Sequence, residues 1–264
     1  MAPENRSADL GGVKMRTLLG VVGGALTIAA LVGESGTATA GARCGADVAG
    51  NGGYTYAGYQ AADRGHGVRA TITATRPLEA TAGHVAGWVG VGGPGQGVGG
   101  EDAWIQVGIA SAFGTQPFLY AEIARAGRYP RFIPLDPEVA VGETRNVAVL
   151  EVAGRPGWWR VWVDRHPVTK PVKIRGSSGR WAPIATAESF SGGKVACNSF
   201  AFRFEHVLVS NGPGGAWSAF ESGYRFLDGG NRVRALATTP ADSDARRPAN
   251  RSRNPLPYAF VASS

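Results

Sequence analysis

His84-Val-Ala-Gly-Trp-Val-Gly-Val-Gly-Gly93, followed after a short loop by Glu101-Asp-Ala-Trp-Ile-Gln-Val-Gly-Ile109, decides the fold. In the second stretch Ile105, Val107 and Ile109 alternate with Trp104, Gln106 and Gly108. A period of two makes a strand with two faces. The odd face is branched and apolar, so it suits a core. The even face carries an indole, an amide and the gap left by Gly108. That combination suits the floor of a cleft better than a solvated surface. Between the stretches, the Gly-rich residues 92–100 suit a tight antiparallel connection.

Working outward, the same short alternating runs recur. The 264 residues include 40 Gly, and Val, Thr, Trp and Tyr cluster in short runs. This favours an all-β chain, within the size of one sandwich domain. Residues 54–59 and 68–74 read as a strand pair joined by the polar stretch 62–67, and Arg76-Pro77 ends the second strand. Residues 118–123 form another strand, with Phe118, Tyr120 and Glu122 on one face. Residues 125–138, rich in Pro, Arg and aromatics, read as a loop. Residues 145–152 and 158–163 read as a hairpin, with Trp158, Arg160 and Trp162 opposite Trp159, Val161 and Val163. Strands are also expected at 172–174, 184–190, 199–209, 224–227, 232–236 and 258–262. In 199–209, Phe202, Phe204, His206 and Leu208 share one side and Arg203, Glu205 and Val207 the other. The expected architecture is a single antiparallel β-sandwich over residues 54–264 with a curved sheet. An Arg-rich loop is expected at about 239–257.

The N-terminus reads as an export signal over residues 1–40. Lys14 and Arg16 precede the apolar run 18–32, and Ala38-Thr39-Ala40 offers small residues for cleavage. Met15 is an alternative start to Met1. A membrane anchor is the competing reading, but the run holds three Gly and is short for a span. The expectation is a secreted, extracellular protein without a membrane anchor, beginning with a short segment at 41–53. Its two cysteines, Cys44 and Cys197, are expected to pair in an oxidising compartment. Two free thiols or separate partners are the alternatives.

Several chemistries find little support. Gly95-Gln-Gly-Val-Gly-Gly100 has the spacing of a dinucleotide loop, but a strand follows it where a helix is needed. His66, His84, His166 and His206 are scattered and form no close ligand pair, so no metal is expected. No G-x-S-x-G elbow occurs in the chain after residue 40. The formal charge of +7 and pI of about 9.8 reflect dispersed arginines. An anionic cell-wall polymer fits an exported basic protein better than nucleic acid does. The seven tryptophans suit core packing. Trp88, Trp104, Trp158 and Trp162 nonetheless lie in strands that also carry polar groups, and such aromatic floors suit sugars and peptides alike.

Tyr56-Ala-Gly-Tyr59, Gly87-Trp-Val-Gly-Val-Gly92, Trp104-Ile-Gln-Val-Gly108 and Tyr120-Ala-Glu122 together resemble the glutamic peptidases of the eqolisin type. The resemblance covers most of residues 54–264. It implies a concanavalin-like sandwich of the jelly-roll kind, no cofactor, and a Gln–Glu catalytic pair on a concave face. The Gln falls on Gln106. The Glu falls on Glu188, which ends Ile184-Ala-Thr-Ala-Glu188 ahead of Phe200-Ala-Phe-Arg-Phe204; Glu205 competes for the role. Gly92 stands where the family has an acidic residue. The resemblance implies that Glu188 activates a water and that Gln106 donates to the oxyanion, with Trp88, Trp104, Tyr120 and Glu122 lining the site. The implied partner is a polypeptide substrate, cleaved by a monomer. The alternative is a non-catalytic module that binds glycan or cell-wall polymer on its aromatic face.

Overall fold

A computed structural model describes residues 53–193, 197–220, 223–228, 230–236 and 259–264. The expected signal at 1–40, Cys44 and the Arg-rich stretch at about 239–257 lie outside the described residues. The described residues are almost wholly β. Its strands are β1 (Tyr54–Ala61), β2 (Gly67–Ala74), β3 (His84–Gly93), β4 (Ala103–Ala112), β5 (Phe118–Arg125) and β6 (Arg128–Asp136). There follow β7 (Thr144–Glu151), β8 (Trp158–Val163), β9 (His166–Pro167), β10 (Val172–Lys173) and β11 (Pro183–Phe190). The last are β12 (Ala201–Ser210), β13 (Trp217–Ala219), β14 (Gly223–Leu227), β15 (Arg232–Ala235) and β16 (Phe260–Ser263). One 3₁₀ turn, Val98–Gly100, interrupts the β3–β4 loop.

Two antiparallel sheets stack as a sandwich. The first has seven strands in the order β14-β1-β11-β3-β4-β5-β6. The second has nine, running β10-β8-β7-β2-β12-β16-β15, with β13 against β12 and β9 against β8. The core forms because the apolar positions of both sheets point at each other. Val85, Val89, Ile105, Val107 and Ile109 of the first sheet meet Val68, Ile72, Val149, Val161, Phe202 and Phe204 of the second. All are fully buried. The odd positions of residues 101–109 therefore do face the core. Trp159 is also fully buried, stacks on Trp181 at 6.1 Å, and donates its indole N–H to Ser177 at 2.7 Å. Burying the indole this way leaves no unpaired donor.

Three local expectations need correction. Residues 54–59 and 68–74 are not paired with each other; β1 lies in the first sheet and β2 in the second. The connection crosses the sandwich instead of folding back. It is pinned by backbone bonds from Gly65 to Trp181 at 2.9 Å and from His66 to Ser210 at 2.7 Å. Residues 125–138 are not a loop, since β6 pairs with β5 along most of that stretch. β6 is the edge strand, and an edge tolerates Pro130 and Pro134 because only one side of it needs ladder donors. In β12 the alternation changes phase. A bulge between Glu205 and Leu208, with His206 at φ +51°, buries Val207 and turns His206 outward. The short strands β9 and β13 carry no alternation long enough to read.

Candidate active site

The even positions of the first sheet form its outer face. The ladder aligns them in rows across the strands. Tyr56, Glu188, Ala86, Ala110 and Phe118 make one row. Thr186, Trp88, Gly108 and Tyr120 make the next. Ile184, Gly90, Gln106, Glu122 and Phe132 make the third. An outer face is ordinarily solvated. Here Trp88 is 8% exposed, Tyr120 3%, Gln106 8% and Glu188 6%. Ala86, Trp88, Ala110 and Tyr120 form an apolar cluster of their own, separate from the core. The even face of residues 101–109 is thus largely buried, as the floor of a cleft would be.

Glycines make this floor possible. A Cβ on Gly108 would lie 2.2 Å from the Gly87 carbonyl oxygen and 2.6 Å from the Cβ of Trp88, so β3 approaches too closely for a side chain there. A Cβ on Gly90 would lie 2.8 Å from the Cβ of Gln106.

Two aromatic walls enclose the polar groups. On one side Tyr54 packs against Phe190 at 4.4 Å and against His84 at 6.1 Å, and stacks on Tyr56 at 5.9 Å. Within this wall His84 Nε2 meets Glu188 Oε1 at 3.2 Å. On the other side Tyr120 stacks on Phe132 at 5.5 Å. The Gln106 amide donates to the Tyr120 hydroxyl at 3.1 Å.

Gln106 and Glu188 share this face but make no direct hydrogen bond. They lie two strands and four residues apart. In a flat sheet that puts their Cα atoms about 16 Å apart. The row holding Trp88 lies between them. The Trp88 indole N–H is buried and finds no acceptor among the described residues. A buried donor without a partner is rare in folded proteins.

The fold is that of a glutamic peptidase of the eqolisin type. Scytalido-glutamic peptidase, solved with a peptide-based transition-state analogue, superposes with a TM-score of 0.53 at 14% identity. The match covers 80% of this chain and 97% of that one. SCP-B, a member of the Eqolisin family solved with the tripeptide Ala-Ile-His, matches with a TM-score of 0.46 at 14% identity, over the same shares of both chains. No family model matches the sequence, and no curated protein matches it.

On this eqolisin-type sandwich every lining residue named from the resemblance reaches the same face: Trp88, Trp104, Gln106, Tyr120, Glu122 and Glu188. Glu205 does not. It lies in β12 of the other sheet, 4.0 Å from Arg203. Gly92, where the family has an acidic residue, has φ +85°, and a Cβ there would meet the Ala103 carbonyl at 2.4 Å. This backbone leaves no room for any side chain. Sequence reasoning missed His84, Tyr54 and Phe190 as neighbours of Glu188. His84 has the same parity in β3 as Trp88, which was the available signal. Only the pairing of His84 with Phe190 brings it to Glu188. Among the described residues no group of three or more His, Cys, Asp or Glu is arranged to hold a metal ion.

The cleft is electrostatically tense. Burial pushes the Glu122 carboxyl from 4.5 up to about 7, and repulsion from Glu188 adds to the rise. His84 and a hydrogen bond from Trp104 act the other way. Burial, and then the Glu188 charge, raise the Tyr54, Tyr56 and Tyr120 hydroxyls as well. Between pH 4.5 and about 7 the folded chain holds a proton on Glu122 that the unfolded chain has released. Stability therefore falls as pH rises through that window. Glu122→Gln removes this loss. The variant should match the wild type near pH 4 and exceed it by about 3 kcal/mol well above pH 7 in urea unfolding. A difference that does not change with pH would contradict the burial argument.

Proposed function

We propose that the cleft hydrolyses peptide bonds at acidic pH. The reading rests on one observation above the rest: a buried amide and a buried carboxylate flank an unpaired indole N–H on the outer face of an eqolisin-type sandwich. The scissile carbonyl would lie over Trp88, between the two. Ionised Glu188, held by His84, takes a proton from a water as that water attacks the carbonyl carbon. The Gln106 amide turns from Tyr120 to donate to the developing oxyanion. An amide suits this task because it donates without titrating. Glu188 then passes its proton to the leaving amine. Glu122, neutral below about pH 7, adds no second negative charge beside the oxyanion.

The aromatic walls also suit stacking on sugar rings, and a glycan-binding module is the competing reading. Hydrolysis of an unfolded protein, with the new termini read by mass spectrometry, separates the two. Glycan binding without any new termini would favour the module.

The same reading takes the protein to be an exported monomer with Cys44 bonded to Cys197. Thiol counting on denatured, unreduced protein should then find none free. Two titratable thiols would refute the pairing.

A further inference from the structure

A cavity of about 400 Å³ lies away from the cleft, where the ends of β4, β5 and β6 approach β10 and the residues after it. Arg125, Arg128, Lys173 and Arg175 line it, with one carboxylate, Glu101. No residue of the proposed catalytic floor takes part. Arg125 and Arg128 are directly paired across β5 and β6. Like charges set opposite one another destabilise a sheet. None of the four cations is in an ion pair among the described residues, and Glu101 neutralises none of them. Lys173 is held in place: its ammonium donates to the Pro156 carbonyl at 2.5 Å and lies 5.9 Å from the Trp158 ring centre. Ile174, fully buried beside it, gives the cavity a firm apolar base. Unpaired cations converging from both sheets on one cavity are arranged for a ligand of opposite charge. Guanidinium forks match phosphate and carboxylate oxygens two at a time.

We propose that this cavity binds a multivalent oxyanion, carried as phosphate or carboxylate on a small molecule or a polymer segment. Glu101, at its margin, would accept a hydroxyl or ammonium hydrogen of the same ligand. The proposal does not depend on peptide hydrolysis. Calorimetry at low salt with two probes, pyrophosphate and tetragalacturonate, tests it. At least one should bind with one-to-one stoichiometry, and which one binds distinguishes a phosphate source from a uronate source. Arg125→Gln combined with Arg175→Gln should weaken binding by about tenfold or more. Arg64→Gln combined with Arg232→Gln removes the same charge from exposed sites elsewhere and should weaken it less than about threefold. Arg175 is exposed, so Arg175→Glu alone makes the same test if the double variant fails to fold. Neither probe binding, or equal weakening by the cavity and control pairs, would overturn the proposal.

Discussion

Glu188→Gln is expected to lower turnover by about 10³–10⁴-fold, the upper part of the range for removing a positioned general base. The substitution keeps the shape of a side chain that is only 6% exposed. Its amide oxygen can still accept from His84 Nε2, so the wall around Tyr54 and Phe190 should hold. What disappears is the ability to take a proton from water and return it to the leaving amine. The charge that opposes ionisation of Glu122 disappears with it. The Glu122 carboxyl should therefore titrate lower in the variant than in the wild type, although burial will still keep it raised. Loss of turnover together with this downward shift would tie the kinetic effect to the carboxylate itself. Turnover equal to the wild type would remove Glu188 from the mechanism.

The second large effect is expected at Gln106. Removing one preorganised oxyanion donor elsewhere costs about 2.7–4 kcal/mol of transition-state stabilisation, a fall of about 10²–10³-fold. Gln106→Ala should show this loss in kcat and in kcat/KM equally, with KM little changed, because the donor acts mainly in the transition state. Gln106→Glu is the sharper comparison. It keeps the volume beneath Gly90, but when ionised it has no hydrogen to donate. Both variants should fold, since Gln106 faces the cleft while its neighbours Ile105 and Val107 carry the core contacts. A rise in KM with unchanged kcat would make Gln106 a binding residue instead.

Much of this site was legible along single strands. Alternation in residues 101–109 put Gln106 and Trp104 on one face and the core on the other. Parity alone also put Phe118, Tyr120 and Glu122 together. What alternation cannot supply is partner and phase. The polar stretch at 62–67 looked like a hairpin turn, yet it carries the chain from one sheet to the other, because a connection of that length reaches either neighbour. Three prolines, Pro130, Pro134 and Pro137, made residues 125–138 look like a loop. An edge position, which only the finished sheet defines, lets the first two sit in β6. The bulge at His206 reversed the side chains beyond it, and no residue in that run announces a bulge. The same limit applies to the cleft chemistry. His84 reaches Glu188 only through the register of β3 with β11, and the orphaned Trp88 N–H depends on what packs around it.

The central claim is that this face cleaves peptide bonds with Glu188 as the base. It is tested most directly by incubating the folded wild-type protein and Glu188→Gln with an unfolded protein substrate from about pH 2 to about pH 8. The rate of appearance of new amino termini is the readout. The account predicts cleavage by the wild type at acidic pH, fading as pH rises through about 7, where Glu122, paired with Gln106, ionises. It also predicts almost no cleavage by the variant at any pH. No cleavage by properly folded wild type, or equal cleavage by both proteins, would contradict it.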